Sequence, residues 1–539
     1  MPQLFTSRAL ALNFRAGSAL TRRGLLHAGT FIVLSCLAWT LMQLVTYPAL
    51  DGRHDMLENY AWSHLATWGT HKHPPFFSWV VGVWFAWMPH QSTYYKLLAY
   101  VNVAVALGGV LKLAQALELP ELGKPAVILL MWSLPYTTLA AKFNANSQLL
   151  SLWPWTAFFL IKAWQGQGWR QAADAVALGA LGAACMLSKY YSGVFLLGLL
   201  VVCLLHAEGR RWMRTPWPYL ALALLLTLLW PHVQWVLAHD GVTFKYVEEQ
   251  GNGHIYHKGL LTFALSPVLY WLPAWAVVVA LGGRALSRAS QTPLDWRALG
   301  RWAVQTWKPQ GWDDVLFWLA FIPWALSLVF GLSSFVNLST AWAIPIGYAF
   351  PLLWLRNFKL QAARLHAAEM PWTRLDACVY PVLVALLLLS ALLGWRNAKV
   401  ADVNYYQPSL SVSQTLLGDW HRQHPDTPLK WVGGDWAENA VVSFYGDSSL
   451  VVIPGLPGSE VVNLYETGDL GAQPGLIFCS RGPVLSGLTS PGACEREAQA
   501  WLADQGLPAQ AIAYRIFREG WRFPKRVEFD YVVFHVLPN

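Results

Sequence analysis

The segment 51–79, DGRHDMLENYAWSHLATWGTHKHPPFFSW, gathers charge in a chain that has little of it. Only 13% of all residues are charged and 55% are hydrophobic. This one segment nevertheless carries Asp51, Arg53, Asp55, Glu58, His64, His71, Lys72 and His73. One apolar span ends shortly before the segment, and another begins near Tyr94. We therefore expect it at a membrane surface, between two transmembrane helices.

The composition of the 539-residue chain is that of a polytopic membrane protein. A mean hydropathy of +0.34 and 32 Trp residues are atypical of a soluble globular enzyme, in which about a quarter of the residues are charged. The net charge of +8 and the pI near 9.1 do not indicate nucleic-acid binding. Lys and Arg lie mostly in short loops between apolar spans, which is the pattern that sets membrane orientation.

Apolar runs long enough to cross a bilayer recur along most of the chain. They predict about eleven transmembrane helices, near 27–47, 94–117, 124–141, 147–164, 172–188, 191–206, 217–237, 262–283, 314–332, 338–355 and 375–395. The basic segment 1–26 is expected to be a cytoplasmic tail. Alternation from there places the polar stretches 51–93, 142–148, 188–192, 238–259 and 333–339 outside. Function is therefore sought on the outer face.

The residues after about Asn397 have a different character. Alternating apolar and polar residues in LKWVGGD, AVVSFYG, SLVVIPG, GLIFCS and YVVFHV predict strands. Helical patterns cover 410–421 and 495–505. We expect a small α/β or α+β domain outside the membrane, and hence three parts: a tail 1–26, a transmembrane catalytic domain 27–395 and a soluble domain 396–539. The sequence contains no phosphate loop and no dinucleotide fingerprint.

Two of the six cysteines lie in the polar C-terminal region, and the other four lie in apolar spans. In an oxidising compartment two such cysteines usually pair. A disulfide between Cys479 and Cys494 is a possibility there.

Asp55 and Glu58 are the main candidate catalytic residues. They are three positions apart, so they share one face of a helix. One carboxylate could act as a general base on an acceptor hydroxyl, while the second orients the acceptor or adjusts the first. The alternative is a solvated pair that caps a helix at the membrane surface.

The cations of the same segment are candidates for binding a phosphate. Lys72 and His73 precede Pro74 and Pro75, which end any regular helix there. They could hold a phosphate and stabilise it as a leaving group, or they could bind anionic lipid headgroups. His71 and His73 could also contribute to a divalent metal site, although no third ligand is evident.

Further candidates lie in the other outer stretches. Lys142 stands with Asn144 and Asn146, and Lys189 precedes Tyr190. Lys142, Lys189 and Tyr190 could bind the same phosphate, or the two lysines could only snorkel at helix ends. The 238–259 stretch could cover the substrate or be a solvated connector. Its candidate residues are His239, Asp240, Lys245, His257 and Lys258.

At these positions the chain resembles bacterial membrane glycosyltransferases of the dolichyl-phosphate-mannose protein mannosyltransferase type, which are related to the lipid A aminoarabinose transferases. The resemblance covers about residues 27–395. Its motifs are DMLENYAWSHLATWGTHKHPPFF, KFNANSQLLSLWPW, LSKYYSG, PHVQWVLAHDGVTFKYVEEQ and STAWAIPIGYAFPLLW. The acidic first loop and its HPP segment are the most specific of these.

The resemblance implies a GT-C fold, a polyprenyl-phosphate-linked sugar donor, and a catalytic acid in the first outer loop. That acid maps onto Asp55, with Glu58 as the second acidic position. Lys72 stands where many relatives have an acidic residue, and Asn146 stands near the place of a second Asp. These two departures leave the role of Lys72 and the handling of acceptor or metal open.

The implied reaction is an inverting displacement on the periplasmic face of a bacterial inner membrane, with the N-terminus in the cytoplasm and the C-terminal domain in the periplasm. The acceptor would be lipid A, another glycan or a protein, and no cofactor is firmly implied. Two alternatives remain: a transporter or flippase for a lipid-linked sugar, and an O-antigen ligase or polymerase type of enzyme. Clustering of charge at one face favours the interfacial transferase over the transporter.

Overall fold

The structure is a computed structural model that combines a helical membrane body with a small domain containing a β-sheet. It describes residues 17–51, 55–65, 67–251, 256–291, 295–332, 338–365, 372–399, 406–436, 438–481, 492–518 and 526–538.

The helices of the membrane body are α1 (Gly17–Thr46), α2 (Asp55–Ser63), α3 (Phe76–Phe85), α4 (Ser92–Ala116), α5 (Pro120–Leu130), α6 (Ala145–Gln165), α7 (Gly168–Ser188), α8 (Ser192–Leu205), α9 (Ala207–Trp212), α10 (Trp217–Ala238), α11 (Val242–Gly251), α12 (Tyr256–Ser290), α13 (Trp296–Gln305), α14 (Val315–Leu332), α15 (Phe350–Arg364) and α16 (Thr373–Ala398).

The C-terminal region contains three further helices, α17 (Ser409–Gln423), α18 (Ala440–Tyr445) and α19 (Ala493–Asp504). Its strands are β1 (Trp431–Gly434), β2 (Val451–Val452), β3 (Gly475–Ser480), β4 (Ala511–Arg518) and β5 (Val527–Val536).

Within the described residues, seven helices are long and apolar enough to cross a membrane. They are α1, α4, α7, α10, α12, α14 and α16. The polytopic helical class predicted from the composition is therefore confirmed. The helices are packed in sequence order along much of the body, since α4 lies between α1 and α6, and α7 lies between α6 and α10.

Two of the expected spans are not single helices. In the run 124–141, α5 ends at Leu130, and turns that contain Pro135 lead to a short 3₁₀ helix at Leu139–Ala141. In the run 338–355, a 3₁₀ turn at Thr340–Ala343 precedes α15. Pro345 disfavours helix before it, and Gly347 has a left-handed φ of 95°. The length and the apolarity of a run, from which the spans were predicted, do not reveal such breaks in a helix.

The C-terminal sheet has the strand order β2-β1-β3-β5-β4. The pairs β1–β2 and β1–β3 are parallel, whereas β3–β5 and β4–β5 are antiparallel. One face packs with α17, α18 and the outer-loop helices α2 and α3 in a shared hydrophobic cluster. The other face packs with α19. The small domain thus packs on the outer segment 51–79 and the helix α3 that follows from it.

The prediction of a strand at AVVSFYG is wrong, because residues Ala440–Tyr445 form α18. Five consecutive residues of this segment are buried, where packing between α17 and α2 overrides the β-preference of its valines. The strand β4 was missed. Among the described strands of the sheet it lies at the edge, beside β5 alone, and Arg515 interrupts its apolar residues.

Cys479 and Cys494 form a disulfide that joins β3 to the start of α19, with their Cα atoms 5.7 Å apart. The bond closes a loop that includes residues 482–491, which lie outside the described residues.

Glu438 is a buried acid of the small domain, and its burial, aided by the charge of Asp435, raises its pKa to about 8. The folded state therefore binds a proton that the unfolded state releases above its own lower pKa. The contribution of Glu438 to the free energy of unfolding is therefore fully present below the pKa that this group has in the unfolded chain. It is lost as the pH rises through about 8, by up to about 1.4 kcal/mol per pH unit.

Glu438→Gln is expected to raise the thermal stability of the full-length protein at pH 8–9 and to leave it nearly unchanged at pH 5. The control is Glu466→Gln, since Glu466 is exposed. Thermal unfolding of both variants across pH 5–9 measures the effect. An equal response of the two variants at every pH would contradict this assignment.

Candidate functional site

Asp55 is the first residue of α2, where a carboxylate is favoured by the exposed N–H groups of the first turn. Its Oδ2 accepts hydrogen bonds from Lys142 Nζ at 3.4 Å and from Asn144 Nδ2 at 3.3 Å. The Asp55 side chain is nevertheless 40% exposed. It is therefore oriented by two donors and still open to a substrate.

Lys142 connects Asp55 to a second acid, Asp51, which was not among the predicted site residues. Lys142 Nζ lies 2.5 Å from Asp51 Oδ2, and the Asp51 side chain is fully buried. Burial alone would lower the pKa of Lys142, but the carboxylates of Asp55 and Asp51 raise it overall. Lys142 is thus a fixed cation beside the exposed carboxylate of Asp55.

Glu58 lies on the same helix as Asp55 but has a different environment. Its side chain is only 8% exposed. Its Oε1 accepts from Lys72 Nζ at 2.5 Å and from Trp436 Nε1 at 2.5 Å. Burial raises the pKa of Glu58, and the contacts with Lys72 and Trp436 oppose that rise. Glu58 therefore acts as the anchor for Lys72 and is much less accessible than Asp55.

The segment before α3 is a compact turn held by Thr70. Its hydroxyl donates to the carbonyl of His73 and accepts from the backbone N–H groups of Lys72 and His73. Pro75 immediately precedes α3, as expected for a residue that ends the turn. The turn sets the direction of the Lys72 side chain toward Glu58.

The two histidines that flank Lys72 are neutral. Burial and the nearby charge of Lys72 lower the pKa of His71 to about 3. Burial, Lys189 and Lys72 lower the pKa of His73 well below its usual value. In the described part of the chain, no three His, Cys, Asp or Glu side chains are grouped as a metal site would require.

The second outer turn contributes Asn144, Asn146 and, through Asn146, Lys189. Asn144 caps α6 by accepting from the N–H groups of Asn146 and Ser147, each at 3.0 Å. Lys189 Nζ donates to Asn146 Oδ1 at 2.7 Å and lies 5.3 Å from the ring centroid of Trp342. Burial lowers the pKa of Lys189 to about 8, although the charge of Asp55 opposes this.

Tyr190 faces a different set of partners from those of Lys189. Its hydroxyl lies 2.7 Å from His232 Nε2, and His232 Nδ1 lies 2.6 Å from the carbonyl oxygen of Trp68. Its ring is stacked on Phe244, with centroids 5.2 Å apart. Tyr190 thus ties α10 and α11 to the outer loop.

Among its described side chains, the stretch 238–259 reaches the site through residues other than those predicted. His239 folds back on its own helix, with Nδ1 2.7 Å from the Trp235 carbonyl oxygen. Asp240, Lys245 and Lys258 are exposed. The side chain of His257 lies outside the described residues, as does all of residues 252–255.

Two uncharged residues of α11, Thr243 and Tyr246, contact the outer loop within the part of this helix whose side chains the structure describes, 242–246. Thr243 Oγ1 donates to the Thr70 carbonyl at 3.4 Å. The ring of Tyr246 lies 5.8 Å from Lys72 Nζ and 6.1 Å from the His73 ring. Because Thr243 and Tyr246 are uncharged, charge in the sequence does not mark them as site residues. Their position in a polar outer stretch was the only indication available from the sequence.

The structure therefore gathers five of the predicted residues, Asp55, Glu58, Lys72, Lys142 and Lys189, around the first outer loop. It adds Asp51, Trp436 and Tyr465 to them. Trp436 and Tyr465 come from the C-terminal domain, some 400 positions away, and no sequence spacing could have connected them to this loop.

Comparison with known proteins shows similarity to a family, to a curated protein and to solved structures. Residues 72–235 match the family described as dolichyl-phosphate-mannose-protein mannosyltransferase. The chain is 23% identical over 357 residues to the lipid A galacturonosyltransferase RgtD of Rhizobium johnstonii. The alignment covers 60% of this chain and 72% of RgtD.

The third similarity is to crystal structures of ArnT from Cupriavidus metallidurans. The complex with undecaprenyl phosphate gives a TM-score of 0.52 at 14% identity, over 93% of this chain and 97% of ArnT. The apo state gives 0.53 at 14% identity, over 96% and 98%. The fold class and the family resemblance predicted from the sequence are both confirmed. Residues 72–235 thus match the dolichyl-phosphate-mannose-protein mannosyltransferase family, within a chain whose fold is similar to that of ArnT.

Proposed function

We propose that this protein is a membrane glycosyltransferase that moves a sugar from a polyprenyl-phosphate donor to lipid A. The single observation that carries the proposal is an exposed, oriented carboxylate, Asp55, surrounded by lysines at one end of a membrane bundle. A lipid-linked donor dissolves in the bilayer, so its enzyme needs a membrane body with a polar site at the interface. The likeness to RgtD and to ArnT supports the same function.

Asp55 is the proposed general base. Its exposed carboxylate takes the proton from an acceptor hydroxyl while that oxygen attacks the anomeric carbon of the donor sugar. The bond between the anomeric carbon and the phosphate oxygen breaks, and the polyprenyl phosphate leaves with the bonding electrons. A single displacement of this kind inverts the anomeric centre. Lys142 and Asn144 hold Asp55 in position for the proton transfer.

The proposed binding groups for the donor phosphate are Lys72, Lys142 and Lys189. Ammonium groups stabilise a departing phosphate by charge-assisted hydrogen bonds in a partly dry site. Lys72 and Lys142 keep raised pKa values despite burial, because each faces carboxylates. His73, neutral and close to Lys72, is proposed as an uncharged donor to the same phosphate.

The proposed domain division is a cytoplasmic tail 1–26, a transmembrane catalytic domain 27–395 and a periplasmic domain 396–539, in a bacterial inner membrane. The basic loops support this orientation. The contact between α18 and α2 supports a common side for the first outer loop and the C-terminal domain.

Labelling of single introduced cysteines at exposed positions 426 and 308 by an impermeant maleimide tests this orientation. Labelling of position 308 but not 426 in intact spheroplasts would contradict it.

Lipid A is proposed as the acceptor because the similar protein RgtD is a lipid A galacturonosyltransferase. The test offers purified protein a sugar-labelled polyprenyl-phosphate donor with lipid A, a lipid-linked glycan or a membrane protein as acceptor. We expect label in lipid A. Label in only one of the other acceptors would overturn the choice of lipid A and keep the transferase reaction.

The pH dependence of phosphate binding tests the role of Lys189. Its pKa of about 8 means that it is charged below that pH and loses its charge above it. Between pH 7 and 9 the charged fraction falls about tenfold, so we expect wild-type affinity for undecaprenyl phosphate to weaken over this range. Lys189→Arg is expected to flatten the dependence, because arginine stays charged. Identical pH slopes for the two proteins would remove Lys189 from the phosphate site.

A further inference from the structure

The anchor of Lys72 is supplied in part by the C-terminal domain. Trp436 Nε1 and Lys72 Nζ donate to the same oxygen, Glu58 Oε1, each at 2.5 Å. The indole of Trp436 also packs against Trp62 and His71, with ring centroids 5.7 Å and 6.1 Å apart. Glu58 is therefore fixed from the loop on one side and from the C-terminal domain on the other.

Tyr465 makes a second contact from the same domain. Its hydroxyl accepts from the backbone N–H of His71 at 3.2 Å and lies 3.2 Å from His71 Nδ1. Tyr465 is buried, and His71 immediately precedes Lys72. The backbone beside Lys72 is thus held by the C-terminal domain as well.

The loop that carries Trp436 is rigidly mounted at the end of β1. Gly434 has φ 124°, and a Cβ at this position would lie 1.9 Å from the carbonyl oxygen of Phe478. Asp435 donates its N–H to that carbonyl at 2.9 Å and accepts from the Ser480 N–H at 2.6 Å. The carboxyl end of a parallel strand is where α/β sheets commonly place functional residues. The geometry aims Trp436 out of the sheet edge toward the membrane body.

The interface around these contacts is a packed core. The ring of Tyr60, on α2, meets that of Phe444, on α18, edge to face with centroids 5.0 Å apart. The Tyr60 hydroxyl lies 3.3 Å from Ser443 Oγ. Tyr60 and Phe444 are fully buried. The C-terminal domain therefore has a defined register on the outer loop, as a positioning role requires.

We infer that Trp436 and Tyr465 are positioning residues for the phosphate site: through Glu58 and His71 they fix Lys72 where it binds the donor phosphate. This inference rests on the proposed function, since it assumes that Lys72 meets a polyprenyl phosphate. Neither residue touches the reacting atoms. Both restrict the ammonium group of Lys72 before the donor binds. Without them the Lys72 side chain would lose its conformational freedom on binding, and that entropy loss would lower the affinity for the phosphate.

The first test is Trp436→Phe, which keeps an aromatic ring in the interface and removes the N–H donor. Removing this hydrogen bond to the charged carboxylate loosens Glu58 and with it Lys72, so we expect Kd for undecaprenyl phosphate and KM for the donor to rise about tenfold. The turnover number kcat is expected to fall by a smaller factor than the rise in KM, because the contacts of Asp55 are unchanged and only the stabilisation of the departing phosphate by Lys72 is weakened. Trp501→Phe, at a tryptophan of the same domain that packs against Trp431, is the matched control and should change neither value.

A double-mutant cycle separates positioning from a structural effect. If Trp436 acts through Lys72, Trp436→Phe should weaken phosphate binding in the wild type but not in the Lys72→Met background. Tyr465→Phe provides a second, milder variant with the same expected dependence on Lys72, in case Trp436→Phe lowers the yield of folded protein.

The outcomes are distinct for the inference and for the proposed function. Wild-type affinity in both Trp436→Phe and Tyr465→Phe would overturn the inference, and so would a tenfold loss that persists in the Lys72→Met background. Binding of undecaprenyl phosphate by a wild-type protein that transfers no sugar would overturn the proposed function, and the inference would then be judged on Kd alone.

Discussion

Replacing Asp55 with Asn is expected to reduce sugar transfer by about 10²–10⁴-fold, the range typical of a lost general base. The amide is isosteric and keeps an oxygen that can accept from Lys142 and Asn144, so the local packing should survive. It cannot take a proton from the acceptor hydroxyl. Binding of undecaprenyl phosphate should remain within a few-fold of wild type, because the proposed phosphate-binding lysines are unchanged.

The matched control for this experiment is Asp426→Asn, which alters an exposed acid of the C-terminal domain. It should leave both transfer and binding unchanged. Full transfer by Asp55→Asn would move the base to another carboxylate, Glu58 or Asp51. Glu58 is a poorer candidate because Lys72 and Trp436 already occupy its buried carboxylate.

The largest expected effect on stability is at Arg356, far from the outer loop in sequence. Its guanidinium donates to both carboxylate oxygens of Asp314, at 2.6 and 2.7 Å. The two side chains are only 3% and 2% exposed. Arg356→Met leaves the charge of Asp314 buried without its partner, which costs about 3–5 kcal/mol in comparable pairs. Thermal unfolding of the purified variant measures the loss.

Two further variants separate this effect from a general loss of packing. Asp314→Asn combined with Arg356→Met should regain part of the stability, because the amide carries no charge and still accepts from the backbone N–H of Phe317. Arg422→Met breaks a surface ion pair with Asp419, in which the Arg422 side chain is 76% exposed. It should lower the free energy of unfolding by less than about 1 kcal/mol. Equal losses from the two arginine substitutions would contradict the buried-pair account.

Much of the membrane body could be predicted from the sequence because apolar length is a strong and local signal. The seven long apolar helices all correspond to predicted spans. The two broken spans have local physical causes: Pro135, Pro345 and Gly347 interrupt runs that are otherwise mostly apolar. In the small domain, α18 was mistaken for a strand because its valines favour strands until burial on two sides decides otherwise.

The candidate site could be predicted only as far as charge marks it. Asp55, Glu58 and Lys72 stand out in a chain with few charges, and the structure brings them together. Their separate environments, one carboxylate open and the other buried against a lysine, depend on Trp436 and Asp51. The first comes from a distant domain. The second was visible in the sequence, but only its contact with Lys142 gives it a role.

The measurement that tests the central claim most directly follows both halves of the donor at once. Purified wild-type protein in proteoliposomes receives a polyprenyl-phosphate sugar with one label on the sugar and another on the lipid, together with lipid A. We expect the sugar label to appear in lipid A while the lipid label remains in free polyprenyl phosphate, in equal amounts. If both labels stay on one molecule and only change leaflet, the protein is a transporter and the proposed function is wrong.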